Sequence, residues 1–192
     1  MKRVYIIHGW EGYPEDGWYP SIKQELEKRG FSVFIPLMPN SAEPEIESWV
    51  SFIENLVDKP DEQTYFIGHS IGCQAILRYL EKLSNKKIGG AVFVAGWFHL
   101  TPAAAPDEES KMIAKSWLET PINFEKVKQT TDKFVALFSD NDPCVPLTEK
   151  DIFQEKLNAK IIIEESKGHF DEDFGIKEVK SILDSILDLA KF

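Results

Sequence analysis

The chain has 192 residues, of which 28% are charged and 43% are hydrophobic, proportions typical of one soluble globular domain. Its 32 acidic residues outnumber its 22 basic ones, so the formal net charge is -10 and the resulting field repels nucleic acids and anionic membranes. The composition therefore argues against nucleic-acid-binding and membrane-binding proteins, and we expect neither kind of partner.

The N-terminal sequence MKRVYIIHGW places two basic residues before a run of only four apolar ones. That run is too short for the core of a signal peptide or for a membrane span. The two cysteines, Cys73 and Cys144, show neither metal-ligand spacing nor a disulfide framework, which suits a reducing cytosol. We therefore expect a cytoplasmic protein that begins directly with a strand.

Short apolar runs alternate along the chain with amphipathic segments. The runs, which are rich in β-branched and aromatic residues and have the length of strands, are residues 4–7, 32–35, 64–67, 91–95, 134–138 and 160–163. The segments that repeat apolar residues every three or four positions, as helices do, are residues 19–29, 46–57, 73–83, 148–157 and 176–187. Because parallel strands are normally connected through a helix, this order predicts an α/β fold, a three-layer α/β/α domain around a mostly parallel sheet of about six strands.

One segment, residues 96–132, breaks this alternation. It is rich in proline, contains two short helical patterns and is too long for an ordinary connection. Long insertions in compact domains are often lids or binding surfaces, and the alternative is a plain helix with irregular ends. No linker separates the segment from its neighbours, so we expect residues 1–192 to form a single domain with a small substrate-facing insertion.

The third predicted strand leads into FIGHSIGC, where Ser70 has a glycine two residues away on each side. A Gly-x-Ser-x-Gly turn between a strand and a helix projects the serine hydroxyl at the carboxyl end of the sheet, where ligands of α/β proteins bind. Gly68 and Gly72 are needed because neighbouring backbone comes too close for side chains. The pattern favours a nucleophilic serine over an idle residue in a glycine-rich turn.

A serine hydroxyl becomes a good nucleophile when a base removes its proton and an acid orients that base. In a common strand–turn–helix arrangement of these groups the chain order is serine, acid, histidine, and this order favours His169, in SKGHFDED, among the four histidines. The sequence SDNDPCVP, after the fifth predicted strand, offers two acids. We favour Asp142, because Pro143 biases its backbone towards an extended conformation, and Asp140 remains the alternative.

Acyl transfer also requires hydrogen-bond donors for the oxyanion of the tetrahedral intermediate. We expect these donors to be the backbone N–H groups of Ile71, directly after the serine, and of Trp10, in the loop after the first strand. The residues expected to contact substrate are His8, Gly9, Trp97 and Phe98. Core packing is the alternative role of the tryptophans. Such a site requires no metal ion and no organic cofactor.

These motifs resemble the α/β-hydrolase superfamily and, within it, the small serine hydrolases related to retinoblastoma-binding protein 9 and to bacterial YdeN proteins. The resemblance runs nearly end to end through VYIIHGW, GWYPSIKQELEKRGFSV, PLMPN, GHSIGCQAILRYLE, SDNDPCVP and GHF. It implies a compact α/β-hydrolase with little or no lid and a triad of Ser70, Asp142 and His169. It carries over no retinoblastoma-protein partner, because the motif Leu-x-Cys-x-Glu is absent.

The residues and the resemblance together predict a carboxylesterase-like serine hydrolase. It would cleave a small carboxylic ester, or a thioester or amide, through an acyl-enzyme on Ser70. Two alternatives are a binding protein that keeps the fold without turnover and an acyltransferase that uses the same triad. An intact triad argues against the binding protein, because a non-catalytic scaffold does not need serine, acid and base together.

Overall fold

A computed structural model describes residues 1–191 of the chain. Within that range, six strands form one sheet in the order β2-β1-β3-β4-β5-β6, and every neighbouring pair is parallel. The strands are β1 (Arg3–Ile7), β2 (Ser32–Phe34), β3 (Thr64–His69), β4 (Gly90–Val94), β5 (Phe134–Ser139) and β6 (Lys160–Glu164). The predicted α/β fold with a parallel sheet of about six strands is confirmed.

Helices cover both faces of this sheet. They are α1 (Tyr19–Glu27), α2 (Ile46–Leu56), α3 (Ile71–Lys82), α4 (Glu108–Glu119), α5 (Phe124–Lys128), α6 (Glu149–Leu157) and α7 (Lys180–Leu189). Helix α1 packs against α7, while α3 packs against both α2 and α5, and α5 against α6. Across residues 1–191, no helix has both the length and the apolar character that crossing a bilayer requires.

The centre of the core lies between the sheet and α3. Every residue of β3 and β4 is buried, which explains why these strands are continuous apolar runs rather than alternating ones. Residues 71–80 of α3 are also buried, including the polar side chains of Gln74 and Arg78. Because all six strands are parallel, their carboxyl ends share one edge of the sheet, and the loops that follow β1, β3, β4, β5 and β6 meet there.

Two helix starts differ from the prediction by two or more residues. Helix α3 begins at Ile71, directly after the serine, rather than at residue 73. The last helix begins at Lys180 rather than at residue 176, because Gly175 adopts a left-handed conformation and Val179 is still extended. The side chain of Val179 is nevertheless buried. Apolar residues at helical spacing therefore continue beyond the helix itself.

The insertion at residues 96–132 contains a short 3-10 helix, Pro102–Ala104, followed by α4 and α5. Trp117 attaches α4 to the rest of the domain. Its indole Nε1 donates a hydrogen bond of 2.8 Å to the carbonyl oxygen of Pro44, and its ring packs edge-on against Trp49 of α2. The insertion is thus two separate helices rather than one helix with irregular ends.

Candidate active site

Ser70 occupies a strained turn between β3 and α3. Its backbone has φ 52° and ψ -122°, a positive-φ conformation that non-glycine residues rarely adopt. A Cβ atom on Gly68 would lie 2.8 Å from the backbone of Cys73, and one on Gly72 would lie 2.3 Å from the carbonyl oxygen of Ile7. Neither position accepts a side chain, so the two glycines permit the close packing that turns Ser70 outward.

His169 and Asp142 form a hydrogen-bonded pair at the same edge of the sheet. The imidazole Nδ1 lies 2.9 Å from the carboxylate Oδ2, and the side chains of His169 and Asp142 are 14% and 3% exposed. The other carboxylate oxygen accepts hydrogen bonds from the backbone N–H groups of Cys144 and Val145, at 2.8 and 3.0 Å. Asp142 therefore presents one fixed oxygen to the histidine.

Asp140, the alternative acid, has a different partner. Its Oδ1 accepts a hydrogen bond of 2.8 Å from the backbone N–H of Ser166. Two residues outside the predicted site, Ser139 and Asn141, accept hydrogen bonds from the backbone N–H groups of Lys167 and Gly168, at 3.0 and 2.8 Å. Residues 139–142 are thus attached one by one to residues 166–169. This ladder positions the histidine loop, and the polar run SDND was its only signal in the sequence.

His69, directly before the serine, contacts the backbone of the loop that carries His169. Burial, with a contribution from nearby His169, lowers the pKa of His69 to about 3, so its ring is neutral at physiological pH. Its Nε2 lies 2.7 Å from the carbonyl oxygen of His169, and its Nδ1 lies 2.7 Å from the hydroxyl of Tyr19. The Tyr19 hydroxyl in turn accepts a 3.4 Å hydrogen bond from the N–H of Gly9. This buried chain connects the β1 loop to the histidine loop, and no spacing in the sequence indicated it.

The backbone N–H groups predicted to bind the oxyanion are those of Trp10 and Ile71. Within the described part of the chain, neither group donates a hydrogen bond to another residue. His8 shapes the loop that carries Trp10. Its Nε2 accepts a 2.9 Å hydrogen bond from the backbone N–H of Met38, which leaves Nδ1 to donate to the Gly9 carbonyl oxygen at 2.7 Å. Burial lowers the pKa of His8, which favours this neutral form.

Trp97 contacts the serine directly. Its indole Nε1 donates a 3.3 Å hydrogen bond to the Ser70 Oγ, and its backbone carbonyl accepts one of 3.1 Å from the Gln74 side chain. Over residues 1–191 the structure shows no hydrogen bond between Ser70 and His169. Catalytic hydrogen bonds are often long without substrate and shorten when it binds.

The model of the serine hydrolase family matches residues 4–187 of this chain. The chain belongs to this family. It is 29% identical over 184 residues to YdeN of Bacillus subtilis (strain 168), covering 95% of this chain and 93% of YdeN. It is also 29% identical over 171 residues to the serine hydrolase RBBP9 of Rattus norvegicus, covering 87% of each.

Solved structures show the same fold. The crystal structure of YdeN from B. subtilis aligns with a TM-score of 0.90 at 27% identity, over 98% of both chains. Est1E from Butyrivibrio proteoclasticus, solved with ferulic acid bound, aligns with a TM-score of 0.74 at 16% identity, over 97% of this chain and 88% of Est1E. The predicted resemblance to the α/β-hydrolases is confirmed, and family membership supports a hydrolytic enzyme.

The candidate site of this serine hydrolase faces a cavity of about 830 Å³. The predicted residues that line it are Gly9, Trp10, Ser70, Ile71, Trp97 and His169. His8 and Phe98 do not. His8 is completely buried beneath the β1 loop, and the Phe98 ring packs between Phe124 and Phe153. The structure therefore gives these two residues supporting positions instead of the predicted contact with substrate.

The cavity lining is strongly acidic. It includes the carboxylate residues Glu11, Asp16, Glu43, Asp107, Glu109, Asp171, Glu172 and Asp173. Among the lining residues in the described chain there is no lysine and no arginine. The local charge thus has the same sign as the net charge of -10.

Proposed function

We propose that this serine hydrolase cleaves a small carboxylic ester, with a thioester or amide as the alternative substrate, through an acyl-enzyme on Ser70. The observation that supports the proposal best is the hydrogen-bonded pair of His169 and Asp142, which lies beside the cavity that a strained serine faces. A serine, a histidine and an acid at the carboxyl edge of a parallel sheet are the groups that acyl transfer requires.

In the proposed first step, the Ser70 Oγ attacks the carbonyl carbon while the Nε2 of His169 takes the hydroxyl proton. Asp142 holds the imidazole by Nδ1 and stabilises its protonated form. The negative charge on the carbonyl oxygen is bound by the N–H groups of Ile71 and Trp10. His169 then gives its proton to the departing alcohol, which leaves an acyl group on Ser70.

In the second step, water attacks the acyl carbon and His169 takes a proton from it. Collapse of the second intermediate releases the carboxylic acid, and the proton returns to the Ser70 Oγ. The hydrogen bond from Trp97 to Oγ holds the hydroxyl in the cavity between turnovers. The base remains in place because its loop is attached to residues 139–142 and to His69.

The proposal also includes the residues that contact substrate. Gly9 and Trp97 line the cavity next to the serine, and Leu100 and Ile113 extend this lining further along the insertion, to which Trp97 also belongs. We therefore propose that residues 96–132 are a substrate-facing part of a single domain. We further propose a cytoplasmic location, which the free thiols of Cys73 and Cys144 support.

A fluorophosphonate probe with detection by intact mass tests the proposal. We expect one adduct on the wild-type chain and none on Ser70→Ala, because only an activated serine reacts with the probe. Ser84→Ala, which changes a serine exposed at the surface, is the matched control and should label like the wild type. A series of p-nitrophenyl esters would then measure acyl-chain preference.

Two results would contradict the proposal. The first is absence of an adduct on well-folded wild-type protein, which would favour a binding protein with the hydrolase fold. The second is an adduct that persists in Ser70→Ala, which would place the reactive group elsewhere. Addition of amines or alcohols to the ester assay distinguishes hydrolysis from acyl transfer, because transfer yields a new amide or ester product.

A further inference from the structure

The proposed acid and base form, together with one cysteine, a group of three side chains with different metal-binding atoms. Asp142, Cys144 and His169 each offer one ligand atom, and these atoms all lie within 4.8 Å of one another. Cys144 and His169 both line the cavity, so an ion can reach the group from solvent. Carboxylate, thiolate and imidazole together form a ligand set suited to Zn²⁺ and to other thiophilic divalent ions.

We propose that this cluster is an inhibitory binding site for a thiophilic divalent cation such as Zn²⁺. The ion would be an inhibitor and not a cofactor, because the proposed hydrolysis uses no metal. It places a cation on the acid–base pair itself. The inhibition, although not the binding, rests on the roles proposed above for Asp142 and His169.

The geometry requires little rearrangement. A tetrahedral zinc site with bonds of about 2.0 to 2.3 Å holds its ligand atoms roughly 3.4 Å apart. The Asp142 Oδ2 and His169 Nδ1 are already 2.9 Å apart, so they need to separate only slightly. The other oxygen of Asp142 remains bonded to the N–H groups of Cys144 and Val145, which orients the carboxylate as an outer-shell partner would. The Cys144 sulfur lies within 4.8 Å of a ligand atom of each partner, and water from the cavity would complete the coordination.

Cys144 is the residue that the hydrolytic mechanism leaves without a role. The other cysteine, Cys73, is fully buried behind the serine and its sulfur donates a hydrogen bond to the carbonyl oxygen of Val94. Only Cys144 therefore presents a thiol to the cavity in the described chain. The carboxylates of the cavity lining attract cations towards this thiol, because no basic side chain of the lining opposes them.

Binding has a defined chemical consequence. The ion forms bonds to the Asp142 oxygen, the Cys144 sulfur and the His169 Nδ1, the thiol proton passes to solvent, and the imidazole stays neutral because its proton moves from Nδ1 to Nε2. The hydrogen bond between His169 and Asp142 is then replaced by metal coordination. The imidazole can no longer be charged and oriented as the reaction requires, so hydrolysis stops until the ion leaves.

Cadmium tests the site without reference to catalysis. Metal-free protein is titrated with Cd²⁺, and the ultraviolet thiolate-to-cadmium absorption band is recorded for the wild type, Cys144→Ser and Cys73→Ala. We expect the band in the wild type and in Cys73→Ala, its loss in Cys144→Ser, and its displacement by Zn²⁺. A band that persists in Cys144→Ser, or no band in the wild type, would overturn the inference.

Zinc inhibition tests the consequence. Ester hydrolysis is titrated with Zn²⁺, and each variant is normalised to its own metal-free rate. Cys144→Ser should raise the zinc concentration for half-inhibition by roughly 10- to 100-fold, and a chelator should restore the wild-type rate. Equal zinc sensitivity of the two proteins would overturn the inference. Absence of metal-free hydrolysis together with a normal cadmium band would instead contradict the proposed function.

Discussion

At the scale of single residues, the assignment of the acid depends on one hydrogen bond. Asp140 and Asp142 lie two positions apart in the same loop, and both carboxylates are engaged. Asp140 supports the backbone of Ser166, whereas Asp142 contacts the imidazole of His169. The two aspartates therefore differ in what their loss would affect, although they have the same chemical group.

Substitution of each aspartate by asparagine separates these roles. Asp142→Asn should lower kcat by about 10⁴-fold, because an amide neither stabilises the imidazolium nor selects the correct tautomer of the base. Asp140→Asn keeps an oxygen that accepts the hydrogen bond from Ser166, so its kcat should stay near the wild-type value. Steady-state ester hydrolysis measures both variants. A greater loss in Asp140→Asn would assign the acid to that residue instead.

At the scale of elements, helix α6 supports the loop after β4, which carries Trp97. Glu149, at the start of α6, is buried and accepts hydrogen bonds from the backbone N–H of Phe98 and from the Nδ1 of His99. Ala95, directly after β4, adopts φ 48°, so the extended conformation of the strand ends there. As a result Phe98 is held against the core while its neighbour Trp97 reaches the serine.

Two glutamates of α6 test this support. Glu149→Ala should lower the free energy of unfolding by about 1 to 3 kcal/mol, because it leaves the N–H of Phe98 without its charged acceptor. Within residues 1–191, Glu155 on the same helix is exposed and pairs only with the adjacent Lys156, so Glu155→Ala should change the free energy by no more than about 0.5 kcal/mol. Urea denaturation measures both. Equal effects of the two substitutions would show that Glu149 does not stabilise the loop.

At the scale of the whole molecule, charge distinguishes possible substrates. The net charge of -10 and the acidic residues around the cavity produce a negative potential at its entrance. Such a potential raises the local concentration of cationic and neutral molecules relative to anionic ones. Dissolved salt screens it over about 10 Å at 0.1 M ionic strength.

A matched pair of esters tests this selectivity. We expect kcat/KM for an ester with a trimethylammonium group to exceed that for the same ester with a sulfonate group by roughly tenfold at low salt. The difference should decrease as sodium chloride is added, because most of the contributing carboxylate residues are exposed to solvent. Assays of both esters at low and high salt provide the measurement. An equal or higher kcat/KM for the sulfonate would show that the carboxylates do not govern access.

The sequence by itself determined the fold and the family. Apolar runs, helical periods and the glycines around Ser70 record local burial and local backbone geometry, so they are visible in short stretches of the chain. The parallel sheet of about six strands and the hydrolase family were predicted from these patterns, and the structure and the family comparison confirmed them. The order of serine, acid and histidine also indicated which side chains to compare, and these remain the residues of the proposal.

Only the tertiary structure decided how the supporting residues meet. Tyr19 and His69 are 50 positions apart, and His69 bonds a carbonyl oxygen 100 positions further along. His8 and Phe98 lie outside the cavity lining, and Cys144 lies close to the acid–base pair. These positions likewise follow from how separate loops pack at one edge of the sheet. Contacts of this kind depend on the mutual position of distant segments, which no local pattern of residues contains.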